Sequence, residues 1–207
     1  MSLTVKTFAK PLETSLSRAM HVERKRVFRD TMRWDVALVS DTYEIDQFDD
    51  EHALYFIRVS DSGEHLGSFR LLPTIRPHMV SEVFPHLCDG DIPADDNIME
   101  ITRACVTPKV TAIERLRIRN QLISACVDYA RDHGIHTYTC VVSSGFLAQI
   151  LAMGWEVEPL GLPRRIDGVL TAALRITVDH TTPRRLSLTG IYAPSTISTT
   201  PVVELAA

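Results

Sequence analysis

The sequence predicts an α/β protein in which helices cover both faces of one mixed sheet, giving three layers. Segments with helical and strand-like patterns alternate in the order helix, two antiparallel strands, strand, long helix, strand, helix, strand. The 207 residues, 45% of them hydrophobic and 23% charged, suffice for one substantial core and are too few for two ordinary domains. We therefore expect a single domain over residues 1–180 and a loosely packed Thr/Ser/Pro-rich tail over 181–207.

The N-terminal half predicts a helix and then a hairpin. Apolar residues recur at helical spacing after Pro11, which indicates a helix over about residues 12–32 with a possible break near its charged middle. The segments 53–59 (ALYFIRV) and 65–72 (HLGSFRLL) are β-rich and flank the turn sequence SDSGE, so they should pair antiparallel. A short helix is expected over 79–87.

The C-terminal half supplies the remaining elements. A strand at 98–106 leads into a long amphipathic helix that stops at Gly134. The elements predicted after it are a strand at 136–142, a short buried helix at 146–154, a strand-like WEVEPL and a final strand at 169–178.

Composition and missing motifs exclude several classes of protein. The chain has no GxGxxG, P-loop, HExxH or GxSxG motif, and its four cysteines form no CxxC pair, so no metal or nucleotide cofactor is expected. A net charge of −4 argues against nucleic-acid binding. No run approaches the ~18 apolar residues of a membrane span, and the N-terminus lacks the apolar core of a secretion signal. We expect a soluble, cytoplasmic protein.

Charge is unevenly distributed along the chain. Eight acids stand against one base between Asp35 and Asp61, and this acidic centre lies between the basic segments 18–33 and 102–120. Solvated faces are the plain interpretation of each segment alone.

Eight polar and aromatic residues are candidates for chemistry. In ERKRVFRDTMRW, Arg24 precedes Phe28 by one helical turn and Trp34 follows the helix, so these residues either line one pocket or serve as core anchors with a surface arginine. The others are Asp46 and Asp49 before a strand, Arg70 on a strand, and Glu100 and Arg103 in MEITRACV. Because Glu100 and Arg103 are three apart, only a bulge or bend would bring both to one cleft; otherwise they would form a structural ion pair.

Taken together, these residues and the segments RVFRDTMRW, EIDQFDD, GSFRLLPT and MEITRACV resemble the acyl-homoserine-lactone synthases, the autoinducer synthases of bacterial quorum sensing. The resemblance extends over about residues 18–178, including GWEVEPLGLPRRIDG. One departure is that the 146–153 helix carries no Lys or Arg, whereas some relatives have basic residues there to meet an acyl carrier protein.

The resemblance implies a fold related to the GCN5-type N-acyltransferases and two substrates, S-adenosylmethionine and an acyl thioester on acyl carrier protein or CoA. It implies N-acylation of the methionine amine, then lactonisation with release of methylthioadenosine, and S-adenosylmethionine is a substrate rather than a cofactor. The alternatives are a related N-acyltransferase that uses acyl-CoA and another amine, and a non-catalytic ligand-binding relative.

Residue roles follow from that chemistry. A carboxylate must take the amine proton, and Glu100 is our first choice and Asp46 the second, with Arg103 beside them. The acids Asp46, Asp49 and Glu100, if buried together, would require the cations Arg24, Arg70 and Arg103. The aromatic rings of Phe28 and Trp34 would face the adenine and the sulfonium. S-adenosylmethionine would thus contact Arg24, Phe28, Trp34, Asp49 and Arg70, although Asp49 and Arg70 are equally consistent with a purely structural role.

An acyl chain also needs an apolar tunnel, and core and tunnel positions look alike in a sequence. Ser143 is a candidate hydrogen-bond partner for a 3-oxo or 3-hydroxy group. The candidates for the pocket are Met79, Phe84, Leu122, Cys140, Val142, Ser143, Phe146, Leu147, Leu151 and Met153.

Overall fold

The structure is a computed structural model and describes residues 2–193. Within these residues the strands are Ser2–Lys6 (β1), Leu38–Val39 (β2), Tyr43–Glu44 (β3), Leu54–Val59 (β4), His65–Pro73 (β5), Ile98–Val106 (β6), Thr137–Ser143 (β7), Glu156–Pro159 (β8), Arg164–Ile166 (β9) and Val169–Thr177 (β10). The α-helices are Ser15–Lys25 (α1), Met79–Glu82 (α2), Ala112–Asp132 (α3), Ser144–Ala152 (α4) and Thr182–Leu188 (α5). A π-helical turn, Arg26–Thr31, continues α1, and a 3₁₀ turn, Pro85–Leu87, follows α2.

One mixed sheet organises the molecule. Its strand order is β1-β4-β5-β6-β7-β10-β8, with β9 also paired to β10, while β2 and β3 form a separate two-stranded ribbon. Every pair in the main sheet is antiparallel except β6 with β7. The predicted hairpin of β4 and β5 and the predicted mixed sheet are confirmed. No helix in the described range is long and apolar enough to cross a membrane.

Alternating side chains give the sheet two apolar faces. On one face, α3 packs against β4 and β5, and Phe56, Phe69 and Tyr138 belong to the larger core. On the other face, α1 packs against β5, and Met20 of α1 and Tyr55 of β4 belong to a second core. Helices therefore lie on both faces, as the three-layer prediction requires.

A β-bulge in β6 determines where Arg103 points. Arg70 of β5 pairs with Thr102, but Ser68, two residues earlier, pairs with Cys105, three residues later, so β6 carries one extra residue. Arg103 has a φ of 52°, in the left-handed region that residues other than glycine rarely adopt. The bulge places the Arg103 side chain on the α1 face, which also carries Glu100.

The strands β6 and β7 part halfway along their length. They pair only over Ile98–Glu100 and Thr137–Thr139, although β6 continues to Val106 and β7 to Ser143. Beyond Glu100 and Thr139 the sheet is therefore open between these two strands. Glu100 and Thr139 stand where the opening begins.

Two predicted helices are corrected, and one strand was not predicted. The helix predicted over 12–32 starts at Ser15 and becomes π-helical at Arg26, close to the predicted break. The helix predicted over 146–154 forms as α4 but is not buried, because it contacts β7 and β10 on one side only and Ile150 is its one buried residue. The sequence pattern also missed β1, a short edge strand without flanking turn signals.

The segment after residue 180 does not pack loosely where the structure describes it. Within 182–193, helix α5 buries Leu186, which forms a third apolar cluster with Ile191, Val127 and Met153. The prediction of a loose tail is therefore wrong for this segment, because its apolar residues cover the end of α3. The remainder of the predicted tail, 194–207, lies outside the described residues.

Candidate active site

Helix α1 begins with a capping box that fixes its direction across the sheet. The Thr14 hydroxyl accepts from the Ser17 backbone N–H, and the Ser17 hydroxyl accepts from the Thr14 N–H. This orientation directs Arg24 of the last turn inward, where its side chain is 1% exposed. A buried guanidinium requires acidic partners.

Arg24 has two such partners. Its Nη1 and Nη2 donate to the two carboxylate oxygens of Asp49 over 2.7 and 2.9 Å, and its Nε donates to Glu44 Oε2 over 2.5 Å. The Tyr55 hydroxyl donates a further hydrogen bond to Asp49 over 2.8 Å. Burial raises the pKa of the Asp49 carboxyl, but the guanidinium groups of Arg24 and Arg70 outweigh burial and hold that pKa well below its ordinary value.

Arg70 of β5 forms a second buried pair between a guanidinium and a carboxylate. Its Nη1 and Nη2 donate to the two oxygens of Asp46 over 2.6 and 3.0 Å, and Nη1 also lies 2.7 Å from Asp49 Oδ1. The Arg70 Nε donates to the Thr102 hydroxyl over 2.9 Å, so every nitrogen of this guanidinium is engaged. Burial raises the pKa of Asp46, yet Arg70 and Arg103 bring it below its ordinary value.

Arg103 completes the ion cluster, which we define as Arg24, Arg70, Arg103, Glu44, Asp46 and Asp49. The Arg103 Nε donates to Glu44 Oε1 over 2.9 Å, and its Nη2 lies 2.7 Å from Asp46 Oδ2. Three guanidinium groups thus balance three carboxylates. Asp46 is 7% exposed and Arg103 11% exposed, whereas the other four side chains are buried almost completely. The cluster therefore presents Asp46 and Arg103 at its accessible edge.

Glu44 is a cluster member that the sequence did not reveal. Its carboxylate bridges Arg24 and Arg103, and the residue is fully buried on β3. The only available signal was its position two residues before Asp46, which strand alternation would place on the same side. Five further acids of the acidic centre, apart from Asp46 and Asp49, were equally plausible partners, so the sequence could not single out Glu44.

The structure corrects the predicted place of Glu100. In the described part of the chain no basic nitrogen lies within 4.0 Å of its carboxylate, so Glu44 rather than Glu100 is the third acid of the ion cluster. Glu100 Oε2 instead accepts from the Met79 N–H over 2.7 Å, and Oε1 accepts from the Val80 N–H over 3.2 Å. These donors belong to the first turn of α2.

Burial without a contacting cation among the described residues changes the acid–base character of Glu100. The residue is 0% exposed, and burial raises the pKa of its carboxyl to about 7, although the Val80 and Met79 amides favour the charged form. A carboxyl that changes its protonation state near neutral pH suits a general base. Asp46 and Asp49 are weaker bases than Glu100, because their arginine partners hold the pKa of each carboxyl below its ordinary value.

Two aromatic rings lie next to the cluster. Phe28, in the π-helical turn, is buried and stacks on Trp34 with 5.2 Å between the ring centroids and 12° between the planes. The Arg103 guanidinium lies 5.7 Å from the Phe28 centroid. Trp34 is 44% exposed, so its indole has a solvent-accessible surface beside Phe28. The structure stacks Phe28 on Trp34, and Arg24 is a buried member of the ion cluster rather than a surface arginine.

The predicted acyl-pocket residues are not all brought together. Four of them, Leu122, Cys140, Val142 and Leu147, lie in or against the larger core on the α3 face. Met79 packs against the second core, on the opposite face, and Phe84 follows α2 and is partly buried. The Ser143 hydroxyl caps α4 by accepting from the Phe146 N–H.

Three other pocket candidates lie outside the two cores. Phe146 and Leu151 are 40% and 54% exposed, because α4 covers the sheet with one side only. Met153 belongs to the third apolar cluster with Leu186 and Ile191. Helical spacing placed these residues on one apolar helix but did not show which side of it faces the sheet.

Comparisons with known proteins show which proteins this chain is similar to. A family model described as autoinducer synthase matches residues 9–186. Isovaleryl-homoserine lactone synthase of Bradyrhizobium diazoefficiens is 30% identical over 160 residues, which cover 77% of this chain and 71% of that protein.

Solved structures extend the likeness to the whole fold. A CoA-dependent acyl-homoserine lactone synthase with SAM and isopentyl-CoA superposes with a TM-score of 0.83 at 25% identity, over 96% of this chain and 93% of that one. A putative N-acetyltransferase from Lactobacillus plantarum superposes with a TM-score of 0.58 at 14% identity, over 86% and 100% of the two chains, and so confirms the N-acyltransferase-like fold. This protein is an acyltransferase and belongs to the autoinducer synthase family, the acyl-homoserine-lactone synthases.

Proposed function

We propose that this enzyme makes an acyl-homoserine lactone from S-adenosylmethionine and an acyl thioester. The observation that carries the proposal is Glu100, a buried carboxyl with a pKa near 7 beside a charge-balanced ion cluster and an aromatic pair. The reaction as proposed needs neither a metal nor a cofactor, and the proposed site of action is cytoplasmic. Neither a nucleic acid nor a membrane has a role in it.

The first step is formation of the amide. The α-ammonium group of S-adenosylmethionine, with an ordinary pKa of roughly 8, must lose a proton before it attacks the acyl carbonyl. Glu100 takes that proton, directly or through a water molecule. The N–C bond then forms, the C–S bond of the thioester breaks, and the thiolate leaves and takes up a proton.

The second step closes the lactone. The methionine carboxylate attacks its own γ-carbon, the bond from that carbon to the sulfonium breaks, and the electron pair neutralises the sulfur of the departing methylthioadenosine. Arg103 is suited to orient the carboxylate, because it lies at the accessible edge of the ion cluster. The hydrogen-bonding groups of Arg24, Asp49 and Arg70 are engaged by neighbouring side chains, so we propose that these residues support the S-adenosylmethionine site by fixing its wall.

Trp34 gives the first prediction. Its exposed indole would meet the sulfonium or the adenine, an attraction of about 0.5–2 kcal/mol. Trp34→Ala should therefore raise the KM for S-adenosylmethionine by roughly 2- to 30-fold and leave the KM for the acyl donor nearly unchanged. Steady-state kinetics with each substrate varied in turn checks this. An unchanged KM for S-adenosylmethionine would make Trp34 a packing residue only.

The acyl group can reach the enzyme on one of two carriers, an acyl carrier protein or CoA. Exposed bases on the first half of α3, Arg115 and Arg117, together with Arg164 and Arg165 of β9, provide local positive charge for an acidic acyl carrier protein. The absence of Lys and Arg from α4 favours CoA, and the structural neighbour quoted above is described as CoA-dependent. We propose the acyl carrier protein as donor, with acyl-CoA as the competing donor.

A direct comparison of donors decides between them. With matched acyl chains, the KM for the carrier-protein donor should rise several-fold between low and high salt, while the KM for S-adenosylmethionine changes less, because salt screens attraction between protein surfaces. Arg115→Glu should mimic high salt, and Arg184→Glu, exposed on α5, serves as the matched control. Faster turnover with CoA and no salt effect would make CoA the donor.

The test of the proposal itself is product analysis. The enzyme is incubated with S-adenosylmethionine and a panel of acyl carrier protein and CoA donors, and the products are identified by mass spectrometry. An acyl-homoserine lactone with an equal amount of methylthioadenosine supports the proposal. Acyl transfer to a different amine would indicate the related N-acyltransferase, and no product with any donor would indicate a ligand-binding relative.

A further inference from the structure

We infer that the Thr139 hydroxyl accepts the hydrogen bond of protonated Glu100 and thereby positions the general base. Thr139 lies on β7 and pairs directly with Glu100 of β6 in the parallel part of the sheet. Residues paired in this way point to the same face, and Tyr138 on the opposite face donates to the Cys126 carbonyl across the larger core. The inference rests on the role proposed above for Glu100.

The chemistry of Glu100 creates the need for an acceptor. Its two oxygens face the N–H groups of Met79 and Val80, which are donors. Donors suit a carboxylate, but a base that has taken a proton carries an O–H group that needs an acceptor. An amide N–H cannot serve.

Thr139 has the acceptor to offer. It is 1% exposed, and its Oγ1 has no hydrogen-bond partner among the described residues. A buried hydroxyl without a partner is costly, so such groups are uncommon in folded proteins. A rotation of the Thr139 side chain would bring its oxygen towards the neighbouring carboxyl when Glu100 is protonated.

Other titratable groups near Glu100 must be considered. Most are unsuitable acceptors, because they are cations or weakly accepting thiols. His78 is the rival: its Nδ1 donates to the Arg76 carbonyl, so the neutral ring leaves Nε2 as a buried acceptor without a partner among the described residues. The groups near Glu100 on its own face are Arg70 on β5, Arg103 on β6, Arg175 on β10, Cys88 after the 3₁₀ turn and His78 before α2. Cys140 on β7 points to the opposite face, into the larger core.

The experiment is a titration of Glu100 by NMR, with the glutamate side-chain carboxyl carbon labelled and Glu100→Gln used to assign the signal. Thr139→Val keeps the shape and removes the acceptor. It should lower the titration midpoint of Glu100 by about one pH unit, because the neutral form loses a hydrogen bond. The acid limb of kcat/KM should move by the same amount. The melting temperature should stay the same or rise, since the hydroxyl has no partner to lose.

Matched variants make the result decisive. Thr137→Val removes a hydroxyl from the same strand and face, but one that is bonded to the His136 ring, and it should leave the Glu100 midpoint unchanged. His78→Asn keeps a donor for the Arg76 carbonyl and removes the rival acceptor. An unchanged midpoint in Thr139→Val overturns the inference, and a shift in His78→Asn alone would move the role to His78. The titration needs no turnover, so it stays informative even if lactone synthesis is not observed.

Discussion

Replacing Glu100 with glutamine is expected to lower kcat by about 10²- to 10⁴-fold while the fold is retained. The loss is that of a general base, which is typically worth a factor of this size. Glutamine keeps the size of the side chain and one carbonyl oxygen for the Met79 N–H, but it cannot take a proton. Steady-state rates with saturating substrates measure the effect, and circular dichroism with a melting curve shows whether the fold is intact.

The pH profile of the wild-type enzyme provides the second half of this test. A base must be ionised to act, and burial raises the pKa of Glu100 to about 7. The rate should therefore fall as the pH drops below about 7, and the residual rate of Glu100→Gln should lack this acid limb. Asp46→Asn is the comparison, because Asp46 is already held ionised by Arg70. Turnover of Glu100→Gln within threefold of wild type would transfer the search for the base to Asp46.

The raised pKa of Glu100 also makes the stability of the protein depend on pH. A carboxyl whose pKa is higher in the folded state binds its proton more tightly there, so its contribution to stability is present below the ordinary pKa and is lost as the pH rises towards 7. Glu100→Gln removes this term. The variant should consequently lose less stability than wild type between pH 5 and pH 8, measured by urea unfolding.

The main elements and most of the site were predictable because their signals are local. Helical spacing placed Arg24 one turn before Phe28, and strand alternation placed Arg70 towards the α1 face. The sequence showed that Glu100 and Arg103 could reach one cleft only through a bulge or bend. It did not show that a bulge forms, because a bulge depends on the pairing of two strands. Pairing between distant segments leaves no mark in either sequence alone.

Non-local packing explains what was missed. Glu44 is one acid of a run, and only the approach of β3 to α1 selects it as the partner of Arg24. Glu100 looked like a member of the same cluster because its charge fitted the balance, yet α2 lies over it and supplies two amides instead. Met153 was a pocket candidate because it is apolar, whereas α5, from a segment with no strong pattern, packs against it.

Replacing Arg70 with alanine is expected to lower the free energy of unfolding more than any of the other substitutions. Arg70→Ala leaves the buried carboxylates of Asp46 and Asp49 without one of their cations, and breaking a buried pair in this way typically costs about 3–5 kcal/mol. For a domain of this size the melting temperature should fall by roughly 10 °C. Arg184→Ala, on the exposed side of α5, is the matched control and should melt within about a degree of wild type.

The acid dependence of stability separates loss of the ion cluster from simple loss of packing. Asp46 and Asp49 have pKa values below their ordinary range, so their stabilisation is present above about pH 4 and is lost as the pH falls further. In Arg70→Ala the two carboxylates lose the cation they share, and the stability should change less between pH 5 and pH 3 than in wild type. Arg70→Lys keeps the charge but not the paired geometry, so its change in stability over this pH range should lie between those of wild type and Arg70→Ala. If Arg70→Ala melts within a degree of wild type, the ion cluster is open to solvent, since hydrated charges tolerate the loss of a partner.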